Sequence, residues 1–550
     1  MPPPWTFTIT PLASRTLQLD WPDVPGATAV RVYRDVDGEA GAGGFALVAT
    51  LSGGDRRYTS TDLVLPEALH HRYRVEACIG VDCSTNATVA VAGNLAVSIP
   101  ILRPGGLAAG SQAGRSLALA SMALVGGQPG VVMAVGVPGA GLGQGAVKVF
   151  ERRENGPWTP GITIGNEAGS SNDRFGHSVA LSMDGLWLAV GVPGDDSLAP
   201  GGLAGGQDSG AVRLYGRTST DAPWVFHANA KAPNGGVADQ FGTAVALGDS
   251  GSELYVGAPF EDGEAQGAFS AAQANVLFAD ELAGERKDSG AVYRFWFGKT
   301  VGEAPFFEHY MKPVGETQDA YFGASLAAQG GIVAAGAPGA SWGAPYAGGV
   351  QMFRYVSGAW GLMHTLYSIQ PGAGPSIFRF GASLALSGDA SRVAVGDPEA
   401  TALGTVIRAG AAHVFQRSGS TWVEQQSFSA IVPRQNDRFG FSVALGGLQG
   451  DVLSVGVPED DSTLEGLQRQ SEVELDPNPT GRRDSGAVIR YVRSNLVWSF
   501  QARLKSSAPA MDEYFGRAVV TTRDGRLTAV GTRGQGASVD GNPPASIYIY

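Results

Sequence analysis

The sequence predicts an all-β protein in two parts, a short amino-terminal β-sandwich followed by a closed ring of seven four-stranded units. Three observations predict it. Glycine is abundant, at 80 of 550 residues, without a three-residue period, which excludes a collagen-like chain and suits many turns. A Phe-Gly pair recurs at Phe175-Gly176, Phe241-Gly242, Phe322-Gly323, Phe380-Gly381, Phe439-Gly440 and Phe515-Gly516, followed each time by a strand such as "HSVALS", "TAVALG" or "FSVALG". A second strand then ends in Gly-x-Pro, at Gly191–Pro193, Gly257–Pro259, Gly336–Pro338, Gly396–Pro398 and Gly456–Pro458.

Residues 1–95 read as short alternating strands. "TLQLDWPDV" places Leu17, Leu19 and Trp21 on one face, and "TAVRVYRDV" brings Val30, Val32 and Tyr33 to the next strand. "FALVATL", "TSTDLV" and "HRYRVEAC" follow at turn-separated intervals. The tryptophan of "LQLDWPDVPGATAVRVYR" and Tyr73 of "HRYRVEACIGVDCS" give this segment its resemblance to a fibronectin type III domain, an immunoglobulin-like sandwich. The resemblance implies a spacer or binding module, and a fold alone assigns no role. Cys78 and Cys83 flank four residues that include Gly80 and Asp82, which predicts a hairpin with the two thiols facing each other. Either they form a disulfide, which implies an oxidising compartment, or they remain a reduced apolar pair.

The second part, residues 96–550, is organised by its period. After each Gly-x-Pro a variable loop leads to a third strand, as in "GAVRLY", "GAVYRF", "GGVQMF" and "GAVIRY". A fourth strand starts near an aromatic residue, as in "WVFHANAKA", "FFEHYMKP", "WVEQQSFSA" and "WSFQARLKS". Four-stranded units repeating at roughly 60 to 80 residues are the signature of β-propeller blades. A lone blade buries its apolar faces poorly, so neighbours must stack. The phenylalanine fills the wedge between blades, and its glycine admits close backbone approach. A degenerate unit precedes the first Phe-Gly pair, with Ala113-Gly114 in its place and Gly136–Pro138 after it. The last unit carries Gly531-Thr532-Arg533 instead of Gly-x-Pro and stops at "ASIYIY", one strand short. The text "VSIPILRPGG" aligns with fourth-strand text, so residues 96–103 are expected to supply the missing outer strand and join the chain ends.

Together, "DRFGHSVALS", "AVGVPGDD" and "DSGAV" make this region similar to the FG-GAP repeats of integrin α-subunit propellers, and to their bacterial form in particular. The resemblance implies a seven-bladed propeller used outside the cell for adhesion or ligand recognition. It also raises calcium, because many such blades carry an Asp-rich loop between strands one and two. Here those turns read "SMDG", "GDSG", "SGDAS" and "GGLQG", too short and too poor in carboxylates for a cation that takes six to eight oxygens.

Acids gather instead between strands two and three. Asp195 and Asp196 precede Asp208, Glu261 and Asp262 precede Asp288, and Glu459, Asp460 and Asp461 precede Asp484. These ten residues form a candidate calcium-ligand set if each loop folds back on itself. The alternative is that they cap turns through backbone N–H groups, and a third is an enzymatic carboxylate pair. Two loops are long, Gly263–Lys287 and Ser462–Arg483, and in a propeller they emerge on the same face as the Phe-Gly turns. Inserted loops on a rigid scaffold are frequent binding elements. Trp342 and Tyr346, in "GASWGAPYAGG", are candidate sugar-stacking residues on that face, or packing residues for neighbouring loops.

The remaining features set limits. Net charge is −12 and no Lys/Arg cluster appears in sequence, which argues against nucleic acid and anionic membranes as partners. No apolar run reaches about 18 residues, the length a spanning helix needs. The start "MPPPWTF" lacks the regions of a signal peptide, so a secreted chain would have had one removed or be part of something longer. "GDSGS" at Gly248–Ser252 has no matching His and Asp framework for a serine protease, and "GAGLGQG" precedes a strand where a dinucleotide loop needs a helix. The seven histidines show no metal spacing. Asn86-Ala87-Thr88 fits a glycosylation acceptor. The leading expectation is a non-enzymatic extracellular adhesion or ligand-binding protein for a protein or glycan ligand. The alternatives are a carbohydrate-active propeller enzyme (a lyase or hydrolase) and a self-assembling structural subunit of a surface layer or filament.

Overall fold

The structure, a computed structural model, describes residues 6–550 except 37–43, 62, 85–87, 106–109, 124–128, 154–155, 167–168, 199–205, 250, 281–286, 299–302, 316–317, 370–378, 477–479 and 534–544. The glycosylation signal at Asn86 lies outside the described residues.

The amino-terminal segment forms two sheets. One holds Thr8–Leu12, Thr16–Asp20 and Arg57–Ser60; the other is centred on Ala29–Asp35 and Arg72–Ile79, with Ala46–Ser52 at one edge. Strand alternation turns Leu17, Leu19, Val30, Val32 and Val75 inward, where they meet Trp21 and Tyr73 in one core. Trp21 Nε1 donates to the Asp55 carbonyl at 2.8 Å, which satisfies the indole while its ring is buried. Tyr33 takes the opposite face, its ring 4.6 Å from the Arg74 guanidinium. Cys78 and Cys83 are direct cross-strand partners and are disulfide-bonded.

Beyond it, the described residues form seven antiparallel sheets of four or five strands. Their first strands are Leu117–Ala123, Val179–Leu181, Ala244–Leu247, Ser325–Gln329, Ser383–Leu386, Val443–Gly446 and Ala518–Thr521. Each first strand touches the first strand of the next sheet, and Ala518–Thr521 touches Leu117–Ala123, so these strands surround a common centre. The seventh sheet takes its outer strand from Ile101–Leu102, which pairs with Ile547–Ile549.

The repeated residues make the contacts between sheets. Phe175, Phe241, Phe322, Phe439 and Phe515 are fully buried, and each forms a parallel bridge to the glycine that precedes the third strand of the sheet before it, as in Gly210 with Phe241. The glycine of the pair lies at positive φ (Gly176 at +88°), and a Cβ there would sit 2.6 Å from the Ala146 carbonyl oxygen. The glycine of Gly-x-Pro is needed for proximity: a Cβ on Gly191 would lie 2.0 Å from the Gly242 carbonyl oxygen of the next sheet. Gly531 and Gly114 repeat that contact at 2.5 Å between the seventh and first sheets. Five inter-sheet bonds come from a serine two residues after the pair's glycine; Ser178 Oγ donates to the Gly242 carbonyl and Ser383 Oγ to the Gly440 carbonyl, at 2.8 and 2.9 Å.

The two long loops fold back rather than standing out from the face. In the third sheet, Gly267–Ser270 pairs with Phe306–Lys312 and adds a fifth strand, and the helix Ala271–Asp280 lies on it with Phe278 5.0 Å from Tyr310. In the sixth, Leu467–Gln468 pairs with Val497–Leu504 in the same manner. Both cover an outer strand whose backbone groups would otherwise be unpaired. The second insertion also holds the sandwich: Leu467 N–H donates to the Asn94 carbonyl at 2.7 Å, and Arg469 Nη2 donates to the Leu69 and Val91 carbonyls. Leu467 is buried in the same cluster as Leu65 and Leu69. The described apolar and strand-forming residues of the two insertions are thus used on the outer edge and, in the second, on the sandwich.

Candidate functional site

The Phe-Gly turns lead directly into the innermost strands, so the residue after each glycine rings one mouth of the central channel. The strand one–two turns surround the other mouth. There neighbouring turns interlock: Gly330 N–H donates to Asp249 Oδ2 at 2.8 Å and Asp389 N–H to the Leu448 carbonyl at 3.0 Å. Arg523 of the seventh sheet reaches the Gly388 carbonyl of the fifth and Met183 of the second. That side is crossed by the chain's own side chains.

The acidic loops lie on the Phe-Gly side, and three share one arrangement. The first acid of each (Asp195, Glu261 or Asp460) binds the ammonium of a lysine at the end of its sheet's fourth strand (Lys231, Lys312 or Lys505). The serine of each "DSGAV" also accepts from that lysine, at 3.1 Å for Ser209, 2.6 Å for Ser289 and 2.9 Å for Ser485. The second acid (Asp196, Asp262 or Asp461) accepts the backbone N–H of Asp208, Asp288 or Asp484 at 2.7, 2.8 and 2.8 Å, closing the loop. Asp208 pairs with Arg174 at 3.1 Å, Asp484 accepts from the Tyr514 hydroxyl at 3.1 Å, and Glu459 pairs with Arg438 at 3.2 Å.

The electrostatics match this geometry. Burial pushes Asp460 up, but Arg503 and Lys505 outweigh it and hold its carboxyl well below the usual range. Burial likewise opposes Asp195, and its bonds to Ser197 and Lys231 bring it down. Lys505 is itself lowered to about 8 by burial, against the pull of Asp460. A calcium ion takes six to eight oxygens. Here the first carboxylate already faces an ammonium and the second is committed to an N–H. Among the described residues no group of three or more His, Cys, Asp or Glu is placed to hold a metal. These donor sets do not fit calcium, and they read as turn supports in which one buried, lysine-paired acid stands beside a more exposed acid that closes the loop.

The aromatic candidates are wedged into the structure. Trp342 is half-buried against the core between the third and fourth sheets, and a Cβ on Gly349 would strike its ring at 2.2 Å. Tyr346 is half-buried, and Ser341 Oγ accepts its backbone N–H at 2.9 Å.

The channel mouth carries what local sequence did not reveal. Arg517, Arg115 and His177 follow the glycines of the seventh, first and second sheets and are neighbours on the ring. Arg115 Nη2 donates to His177 Nε2 at 2.8 Å. Burial lowers Arg115 to about 10, and Arg517, Arg174 and Arg533 push the same way. His177 is held well below 6.5 by burial and by Arg115 and Arg174, so it remains neutral and accepts. Arg517 lies 5.7 Å from the Phe441 ring and Arg533 5.2 Å from that of Tyr514. Among the described residues no carboxylate lies within ion-pair distance of Arg115, Arg517 or Arg533. The signal was present, but divided among arginines up to hundreds of residues apart that only the ring brings together.

This is a β-propeller, and residues 163–215, which span the outer strand of the first sheet and most of the second, match the FG-GAP repeat family. No curated protein matches the chain. Among solved structures it is similar to the β-propeller domain of Cps50 (Swd1) from Myceliophteria thermophila, at 10% identity over 76% of this chain and 93% of that one, with a TM-score of 0.40. It is also similar to Sqt1 from Saccharomyces cerevisiae, at 11% identity over 82% and 97% of the two chains, with a TM-score of 0.39.

Proposed function

We propose that the chain is a non-enzymatic ligand-binding protein acting outside the cell, a seven-bladed propeller over residues 96–550 carried beside a fibronectin type III-like sandwich over residues 1–95. Its binding face is the Phe-Gly side, and its ligand is an acidic extracellular protein or glycan. One observation carries this reading: three arginines with no carboxylate in ion-pair distance among the described residues converge at the mouth of the channel in a chain whose net charge is −12. Like charges held together in a half-buried recess repel, and a ligand that neutralises them gains that energy on binding. Three buried acids of the same face, Asp195, Glu261 and Asp460, are neutralised by lysines. The opposite mouth is crossed by Arg523. The Cys78–Cys83 disulfide supports an oxidising location.

The test is a glycan and matrix-protein array probed with the whole chain and with Arg115→Gln/Arg517→Gln. The proposal expects captured ligands to be acidic and capture to fall in the variant. Capture of neutral ligands, or equal capture by both proteins, refutes it.

A further inference from the structure

One position in the second, third and sixth sheets is filled in the same way. After Gly-x-Pro the chain turns, and the glycine before the third strand (Gly210, Gly290 or Gly486) donates its N–H to the carbonyl of the first acid, at 2.9, 2.8 and 2.9 Å. The acid, the "DSGAV" serine and the fourth-strand lysine then pack together there. The fifth sheet builds the same backbone, with Gly410 N–H donating to the Ala400 carbonyl at 3.0 Å. All three polar side chains are missing from it. Ala400 stands for the acid, Ala409 for the serine, and Ser429, following Phe428, for the lysine. A cavity of about 210 Å³ remains between the fourth and fifth sheets, room for about seven waters at ~30 Å³ each.

The cavity has a carboxyl of its own. Asp397 occupies the middle of Gly-x-Pro, where those three sheets carry Val192, Ala258 and Val457. It is 5% exposed and lines the cavity, and its carboxylate accepts no hydrogen bond among the described residues. His413 lines the same space, with its Nδ1 2.8 Å from Glu424 Oε1. Nearby, Arg379 is taken by Glu399 at 3.2 Å. Burying a carboxyl without a partner is costly, and whereas a lysine neutralises the buried acid in the second, third and sixth sheets, no described cation bonds to the Asp397 carboxylate that lines this cavity.

We propose that this cavity binds the primary ammonium of a ligand, which takes the place that Lys231, Lys312 and Lys505 fill in the other sheets, with Asp397 as its counter-ion. The ammonium belongs either to a free aliphatic amine or to a lysine side chain of a peptide.

The test is calorimetric titration of the whole chain at about pH 8, where a carboxyl is ionised, with cadaverine, with the peptide Gly-Lys-Gly, and with 1,5-pentanediol as the uncharged control. At least one amine binds and the diol does not; which amine binds separates the two sources. Asp397→Asn weakens binding about tenfold or more, the worth of a charge-assisted hydrogen bond. Ala400→Asp/Ser429→Lys restores the plug and abolishes binding. Should that double variant fail to fold, Asp397→Asn, isosteric and free of the buried charge, decides alone. Absence of binding by both amines, equal binding of the diol, or unchanged binding by Asp397→Asn overturns the proposal. Arg115→Gln/Arg517→Gln leaves amine binding intact, so this site and the acidic-ligand face stand or fall separately.

Discussion

Asp397→Asn also makes the pH dependence of stability a quantitative test. Burial raises the Asp397 carboxyl from its ordinary 3.8 to about 7, with His413 and Arg379 pulling partly against it. The folded protein therefore holds a proton that the unfolded chain releases between about pH 4 and pH 7. The sign follows from linkage: this group's contribution is complete below about pH 4 and is lost as pH rises through about 7. A rise of roughly three pH units at 1.36 kcal/mol each amounts to about 4 kcal/mol. Asp239 and Glu513, raised to about 7, and Asp437, raised to about 8, all by burial, contribute in the same sense. Wild-type protein should thus be more stable at pH 5 than at pH 8, and because only about two of those three pH units lie above pH 5, Asp397→Asn should flatten the difference by about 2.5 kcal/mol. Urea denaturation of both proteins at the two pH values measures it. Parallel pH profiles for wild type and variant would show that Asp397 is ionised in the folded state, and the reasoning from burial would be wrong.

Further outcomes follow from the same contacts. Lys505→Met removes the ammonium from the buried Asp460, leaving Arg503 and the more distant Arg434, and should cost about 3–5 kcal/mol, read by the same denaturation. Ser383→Ala removes one inter-sheet bond and should cost about 1 kcal/mol; Phe439→Ala empties a fully buried wedge and should cost about 3–5 kcal/mol. Melting in excess calcium and in chelator should coincide, because in each of the three acidic loops one carboxylate already faces a lysine and the next accepts a backbone N–H; a rise of several degrees in calcium would restore the metal reading.

Much of the fold was legible because its determinants are local. Phe-Gly and Gly-x-Pro mark where backbones of adjacent sheets touch, and the steric demand at Gly191 or Gly242 must be met by a glycine in every copy. Leu17, Leu19 and Trp21 were readable as a core through simple alternation. What escaped depends on residues far apart in the chain. Asp195 meets a lysine 36 residues on, Glu261 one 51 on, and Asp460 one 45 on, so each loop looked like an uncompensated cluster of acids. A signal did exist: "NAKAP", "YMKPV" and "RLKSS" place lysine at the end of the fourth strand in the same three repeats that carry "DSGAV". The packing of the inserted segments escaped for another reason, because length alone does not reveal that Phe269, Phe278 or Leu467 will bury against an outer strand. The arginine mouth needs the ring itself, since Arg115 and Arg517 lie near opposite ends of the repeat region.

That mouth can be tested without knowing the natural ligand. Dextran sulfate titrated into wild-type and Arg115→Gln/Arg517→Gln protein, at about 50 mM and about 300 mM salt, reports directly on an anion-binding recess. Binding to wild type that weakens at the higher salt and is largely lost in the variant is the predicted outcome. Equal binding by the two proteins, or none to wild type at low salt, would contradict it.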